Sequence, residues 1–326
     1  MNQERSSMST IYCIIDGMTD PSFRTEDYPT LSSMRLDKYL ETTPEGYEPE
    51  SLTCILRLLG VRDIPKKMRG YVEALGANIP VHPDDLILRG SWFSLDGAGR
   101  CVAPVKAPKK WELPAGVFYY RLEDYKSLLV LRQHADEIDQ LVTTPPYAST
   151  GQPAERFRPS GSSTLEELYE MALHKKKCMI LWGESVPSRI APFPERAAVI
   201  CGTNIVRGIA KLLQMDLLHV KGATGDVDTD LYTKTQETLM AAKRYPFVLL
   251  HINGADEAAH RRDEKEKKAF LQKIDAEVLP ALLQSGHRIL LASDHTSNPI
   301  NGQHERDRQP LFIGGCKRGS DESING

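Results

Sequence analysis

No stretch of this 326-residue chain is apolar over the roughly 20 residues that a membrane-spanning helix needs, so a membrane-embedded class is not expected. Charge of one sign is equally scarce. Lys and Arg number 41 against 44 Asp and Glu, and the net of −3 argues against a general polyanion binder, which carries a basic patch or stripe; local basic pockets stay open. Cysteine is sparse too. Its six positions (Cys13, Cys54, Cys101, Cys178, Cys201 and Cys316) form no CxxC pair, and most sit in apolar surroundings, where a free thiol behaves as a small hydrophobe. A reduced, cytoplasmic protein is expected. The opening MNQERSSMST lacks the apolar core of a secretory signal. What remains, at 40% hydrophobic and 26% charged, is an ordinary soluble globular composition. The length suits one large domain or two of ordinary size.

What is abundant is metal-ligand chemistry near the C-terminus. In YPFVLLHINGADEAAHRRD and HRILLASDHTSNPINGQHERD, an apolar run that reads as a buried strand (247–252, then 288–292) breaks into a polar loop. The first loop gives Asp256 and His260. The second gives Asp294, His295 and, after an Asn/Pro/Gly turn, His304. Ligands of open α/β sheets sit beyond the carboxyl ends of the strands, and mixed oxygen/nitrogen shells suit zinc and manganese, with a carboxylate-rich site also open to magnesium. The reading is a metal site for two ions. The spacing of Asp256 and His260 brings both side chains to one face of a helical turn.

Further upstream, Ile11–Ile15 is a short β-branched run of the kind covered on both faces, and it stops at Asp16-Gly17. Asp16 is either a turn former or a carboxylate delivered to a site. SLTCILRLLG has a helical apolar face (Leu52, Ile55, Leu56, Leu59) and a Gly60 stop. Ser51 therefore stands at or beside a helix N-terminus, as an N-cap or as a nucleophile facing free helix amides. From 63 to 177 the texture changes to short strand-like pieces with Gly, Pro and Lys-rich connections, a Pro/Ser tract, and a helix near 164–174. This reads as a smaller α+β unit inserted into a discontinuous core of 1–62 and 178–326. Arg69, Arg89 and Arg132 lie in it, as ion-pair or surface arginines or as anion ligands. Beyond it, KKCMILWG, AAVICGTNIVRGIAKLLQM, DLLHV and the helix 231–243 alternate in the manner of a parallel sheet. The charge run 261–268 reads as a solvated face, and the closing KRGSDESING as a frayed tail.

These segments carry a recognisable pattern. DGMTD, RGYVEALGANI, DDLILRGSWFSLD, IVRGIAKLLQM, VKGATGDVDTD, HINGADEAAH and ASDHTSNP occur in family order and closely resemble the cofactor-independent phosphoglycerate mutases of the archaeal type, a branch of the alkaline phosphatase superfamily. The resemblance implies an alkaline-phosphatase-like α/β fold, a mostly parallel sheet flanked by helices with a smaller inserted α+β domain. It implies two divalent ions, manganese foremost with zinc or magnesium as other occupants. One would be held by Asp16, Ser51, Asp294 and His295, the other by Asp256, His260 and His304. It makes Ser51 the nucleophile that takes the phosphoryl group from phosphoglycerate and returns it to the other hydroxyl of the glycerate. It makes Arg69, Arg89 and Lys221 the first candidates for substrate charges, then Arg132 and Arg207. The inserted domain would keep glycerate in and water out. A small phosphorylated substrate is the expected partner, with no nucleic acid and no membrane.

The chain departs from the family at the nucleophile. Gly-Ser-Asp becomes Glu50-Ser51-Leu52, Ile55 stands where a His or Asn is usual, and the usual Tyr-Asp-Pro becomes Val61-Arg62-Asp63. The chain is also shorter than is usual. Glu50 adds negative charge beside a site that must receive an anion. Three functions follow as expectations: the mutase, a metal-dependent phosphatase or phosphotransferase acting on another phosphate ester, and a metal-binding regulator without turnover.

Overall fold

A computed structural model describes residues 8–146, 149–173 and 176–315. The KRGSDESING segment and Cys316 lie outside the described residues, as does His174 at the end of the expected helix. The chain divides into two compact units, one formed by Met1–Ile64 with Ala191–Gly326, the other by Pro65–Ile190.

The first unit is built on a seven-stranded sheet. At its centre lies the strand Thr10–Ile15, flanked in parallel by Phe247–Ile252 on one side and Arg288–Ala292 on the other. Ala197–Ile200 and the two-residue strand Asp216–Leu217 continue the parallel part beyond Phe247–Ile252. On the other edge Gln309–Gly315 and then Arg35–Leu40 add antiparallel strands. The central run is buried on both faces, Ile11, Cys13 and Ile15 beneath one set of helices and Tyr12 and Ile14 on the opposite side. Helices Leu231–Ala242 and Glu264–Glu277 close the core through Leu231, Ala241, Phe270, Leu271 and Ile274. Burying large apolar side chains of this kind, at roughly 1.5–3 kcal/mol each, supplies a large share of the stabilisation.

Several local expectations change. Arg35–Leu40, whose charged, exposed residues show no apolar alternation, is nonetheless an edge strand held by backbone bonds to Gln309–Ile313. Within the charge run, Lys267 is buried, not solvated, and its Nζ reaches Asp20 Oδ2 at 2.7 Å and the Ser297 carbonyl at 2.7 Å. Of DLLHV, only Asp216 and Leu217 pair as a strand.

The second unit holds a five-stranded antiparallel sheet. Its long strand Leu86–Leu95 pairs with Lys126–Leu131 and Cys101–Pro104 along one side and with Lys177–Ser185 along the other; Val117–Arg121 extends the sheet beyond Lys126–Leu131. Lys177–Ser185 takes in all but the first residue of KKCMILWG, which the sequence places with the core sheet from 178 onward. Its ladder partner is Leu86–Leu95, so the second unit runs on to Ile190. An apolar strand buried on both faces reads the same in either sheet. Helix Ser163–Ala172, capped by the Ser162 hydroxyl accepting from the Leu165 amide, packs Leu165 and Leu168 on this sheet. The five described cysteines are free. Among the described residues no helix is long and apolar enough to cross a membrane.

Candidate functional site

Register explains why the carboxylates meet. Ile14 pairs with Ala292 on one neighbour and with His251 on the other. Two residues beyond Ile14 is Asp16, and two beyond Ala292 is Asp294. With a side-chain period of two, both leave the sheet at one level and on one side. Asp256 arrives from the third strand through the helix Gly254–His260, whose i,i+4 spacing sets His260 Nε2 3.2 Å from Asp256 Oδ2. Gly17, at φ +62°, makes the turn after Asp16; a Cβ there would meet Ser297 Oγ at 2.6 Å and the Asp256 backbone at 3.0 Å.

Two ligand groups result. Asp16, Asp294 and His295 each offer an atom within 4.8 Å of the others, and so do Asp256, His295 and His304. His295 Nε2 is 3.4 Å from Asp16 Oδ1, 3.3 Å from Asp294 Oδ2 and 3.3 Å from Ser51 Oγ. His304 Nε2 is 3.2 Å from Asp256 Oδ1 and 3.2 Å from His260 Nε2. All seven residues named for the two ions are therefore gathered, with His295 standing between the sets. Ser51 is the first residue of the helix Ser51–Leu58, whose N-cap position is held by Glu50, and its hydroxyl lies in hydrogen-bond contact with His295 Nε2. The N-cap reading gives way to a hydroxyl pointed at His295.

The donor set suits divalent cations. Each histidine is oriented through Nδ1: His304 donates to the Pro49 carbonyl (2.8 Å) and His260 to the Gly302 carbonyl (3.0 Å), because a carbonyl only accepts. Ser297 donates to Asp256 Oδ1 at 2.5 Å, which leaves its oxygen to accept from His295 Nδ1 at 3.2 Å. All three rings thereby present Nε2 to the site, the arrangement that supporting hydrogen bonds impose on metal-binding imidazoles. Both oxygens of Asp16 and Oδ2 of Asp294 are buried with no hydrogen-bond partner among the described residues. Such orphans cost roughly 1–3 kcal/mol each, more when charged, and a cation held between Asp16 Oδ1 and Asp294 Oδ2 would satisfy those two.

Electrostatics agree. Burial, then the charges of Asp294 and Asp256, push the Asp16 carboxyl well above the usual range; burial and Asp256 push Asp294 up to about 6. Burial also opposes ionisation of Asp256, but His260 and His304 outweigh it and hold that carboxyl well below its ordinary value. Burial opposes charge on His260 in turn, yet Asp256 raises it to about 9. His295, enclosed and facing His304, is held well below the usual imidazole range.

The candidate substrate ligands are distributed over both units. In the second, Arg69 and Arg89 both reach Glu73 Oε1, Arg69 through Nε at 2.7 Å, and both lie over the Trp182 ring. Arg132 pairs with the buried Asp85 and covers Phe118. In the first unit, Lys221 is exposed and Arg207 lies beside the Cys201 thiol. Sequence reasoning passed over three residues that touch the ligands: Ser297, Ser293 (which accepts from the Met18 amide at 3.0 Å and donates to the His295 carbonyl) and His251. Ser297 and Ser293 lie within the ligand loop, where a hydroxyl carries no pattern of its own. His251 is hidden inside an apolar strand.

The sheet order and the ligand-type residues at its carboxyl end define a mostly parallel α/β fold with a candidate centre for divalent cations. The family model of the metalloenzyme superfamily matches residues 182–325. The model of 2,3-bisphosphoglycerate-independent phosphoglycerate mutase matches residues 39–112. Among curated relatives, the mutase of that name (1) from Archaeoglobus fulgidus is 26% identical over 94% of this chain and 88% of its own length, and that from Methanococcus aeolicus is 27% identical over 94% and 89%. A solved Pyrococcus horikoshii protein superposes with a TM-score of 0.69 at 19% identity over 97% of this chain and 89% of that one. The cofactor-independent phosphoglycerate mutase of Thermoplasma acidophilum gives 0.51 at 18% over 94% and 90%. The resemblance read from the motifs is borne out: over most of its length the chain is similar to the archaeal cofactor-independent phosphoglycerate mutases.

Proposed function

We propose that this protein interconverts 2- and 3-phosphoglycerate without bisphosphoglycerate, through a phosphoserine at Ser51. One observation carries the reading: Ser51 Oγ begins a helix and lies 3.3 Å from His295 Nε2, beside Asp16 and Asp294. The first intrahelical bond runs from the Cys54 amide to the Glu50 carbonyl at 3.0 Å, so the amides of the first turn face an incoming anion at the positive end of the helix. Asp16, Ser51, Asp294 and His295 would hold one divalent ion, and Asp256, His260 and His304 the other. When bound, the ions supply positive charge that stabilises a serine alkoxide and the phosphoryl oxygens. Manganese is the proposed occupant, with zinc and magnesium compatible with the same ligands.

Ser51 Oγ forms the bond to phosphorus as the ester bond to glycerate breaks, and the glycerate oxygen leaves with a proton. The glycerate turns, its other hydroxyl attacks phosphoserine, and Ser51 regains its proton. Arg69, Arg89 and Lys221 are the first candidates for the substrate's carboxylate and phosphate, followed by Arg132 and Arg207. The site of action proposed is the cytoplasm.

A second reading, a phosphatase or phosphotransferase on another ester, is favoured by Leu52 and Ile55. They are wholly buried apolar side chains where the resemblance leads one to expect polar ones, so the pocket beside Ser51 differs. Manganese-loaded protein incubated with 2-phosphoglycerate separates the readings. Appearance of 3-phosphoglycerate without free phosphate supports the mutase; phosphate without interconversion supports the phosphatase. Bound metal with neither product leaves a regulator or another substrate.

A further inference from the structure

We propose that His251 is a positioning residue of the metal centre, holding the outward oxygen of Asp16 so that the other faces the cation. The inference rests on reading Asp16 as a ligand. His251 lies on the strand Phe247–Ile252, wholly buried, directly across from Ile14 on the strand that delivers Asp16. Its Nε2 is 3.2 Å from Asp16 Oδ2, while Asp16 Oδ1 faces His295 Nε2 at 3.4 Å. The two oxygens of one carboxylate thus look in different directions, one toward the ligand group and one toward His251.

His251 Nε2 lies within hydrogen-bond distance of Asp16 Oδ2 without being aligned for a bond, and neither ring nitrogen has another partner among the described residues. An imidazole buried with two unmet polar atoms is costly compared with an apolar residue of similar volume, and every other side chain of that strand is apolar. Packing alone gives no reason for a ring nitrogen at this place; a small turn of the ring that lets Nε2–H donate to Asp16 Oδ2 would. The strand is also fixed there, since the His251 carbonyl accepts from the buried Lys234 ammonium at 2.7 Å. Hydrogen-bonded partners of metal-bound side chains typically govern metal affinity by about 10–100-fold.

The test uses the full chain, stripped with chelator and titrated with Mn²⁺ against a fluorescent competitor, with thermal unfolding followed in chelator. The wild type is expected to take two ions. His251→Phe weakens one of them by about 10–100-fold and leaves the other unchanged. His251→Gln, whose amide N–H reaches the same carboxylate, recovers most of the loss, and the shorter His251→Asn does not. In an Asp16→Asn background, His251→Phe adds no further loss. Wild-type affinity in His251→Phe, equal losses in the Gln and Asn variants, or additive loss with Asp16→Asn would each overturn the proposal alone. A wild type that takes up no ion would overturn the reading of the site itself. Should His251→Phe not fold, the Gln and Asn pair decides.

Discussion

Glu73 in the second unit and Asp16 with Asp294 in the first are all buried carboxylates, yet they are neutralised in opposite ways. Burial opposes ionisation of Glu73, but Arg89 and Arg69 overcome it and hold the carboxyl down to about 2. The chain carries its own cations there, stacked on Trp182. Asp16 and Asp294 are raised, because burial and neighbouring carboxylates act on them with no arginine or lysine among the causes. The lesson is one of charge supply. A buried carboxylate with guanidiniums beside it is complete in itself, whereas a group of them with only imidazoles and a hydroxyl is arranged for cations from solution.

Four measurements can break or sharpen that contrast, starting with the largest effect. Ser51→Ala should lower turnover about 10⁴-fold or more while the chain stays folded by circular dichroism. Retained turnover would move the chemistry away from the metal-facing cluster. Glu73→Leu leaves the buried Arg89 and the half-buried Arg69 without their carboxylate and should destabilise by about 3–5 kcal/mol in denaturant titration, with manganese uptake unchanged. Loss of metal instead of stability would collapse the distinction between the clusters.

The pH dependence should carry opposite signs in chelator-treated protein. Glu73 lies at about 2 when folded against an ordinary 4.5, so the unfolded chain binds more protons in that window. Its contribution is fully present above 4.5 and is lost as pH falls through about 2. Asp294 lies at about 6 against 3.8, so the folded chain binds more protons there and stability declines as pH rises across that window. Each limb is roughly 3 kcal/mol. Denaturant midpoints between about pH 2.5 and 7 check both, and manganese should erase only the falling limb. Smallest is the ion effect itself: at about 100 times the dissociation constant, each site should add about 2.7 kcal/mol, read as a shifted midpoint that chelator reverses. No shift would leave the raised carboxylates unexplained.

Much of the candidate site was legible because the residues proposed as ligands follow buried strands. The runs 247–252 and 288–292 match their strands residue for residue, and each loop after them carries ligand types at tight spacing. Asp16 was legible as a strand-ending carboxylate, though whether it served a turn or a site was not. Lys177–Ser185 was legible as a strand but not as a member of the second sheet, since ladder partners lie about 90 residues away, from Ile87 to Ser94. Lys267 was hidden in a charged run because its burial depends on Asp20 and Ser297.

The sequence by itself determined which residue types would leave which strands, because β-branched runs, glycine turns and i,i+4 spacing are local properties. Only the tertiary structure decided that Ile14 lies level with both Ala292 and His251, which places Asp16 against Asp294 on one side and against an imidazole on the other. Register between strands more than 230 positions apart is set by the packing of the whole sheet, and no short stretch of chain contains it.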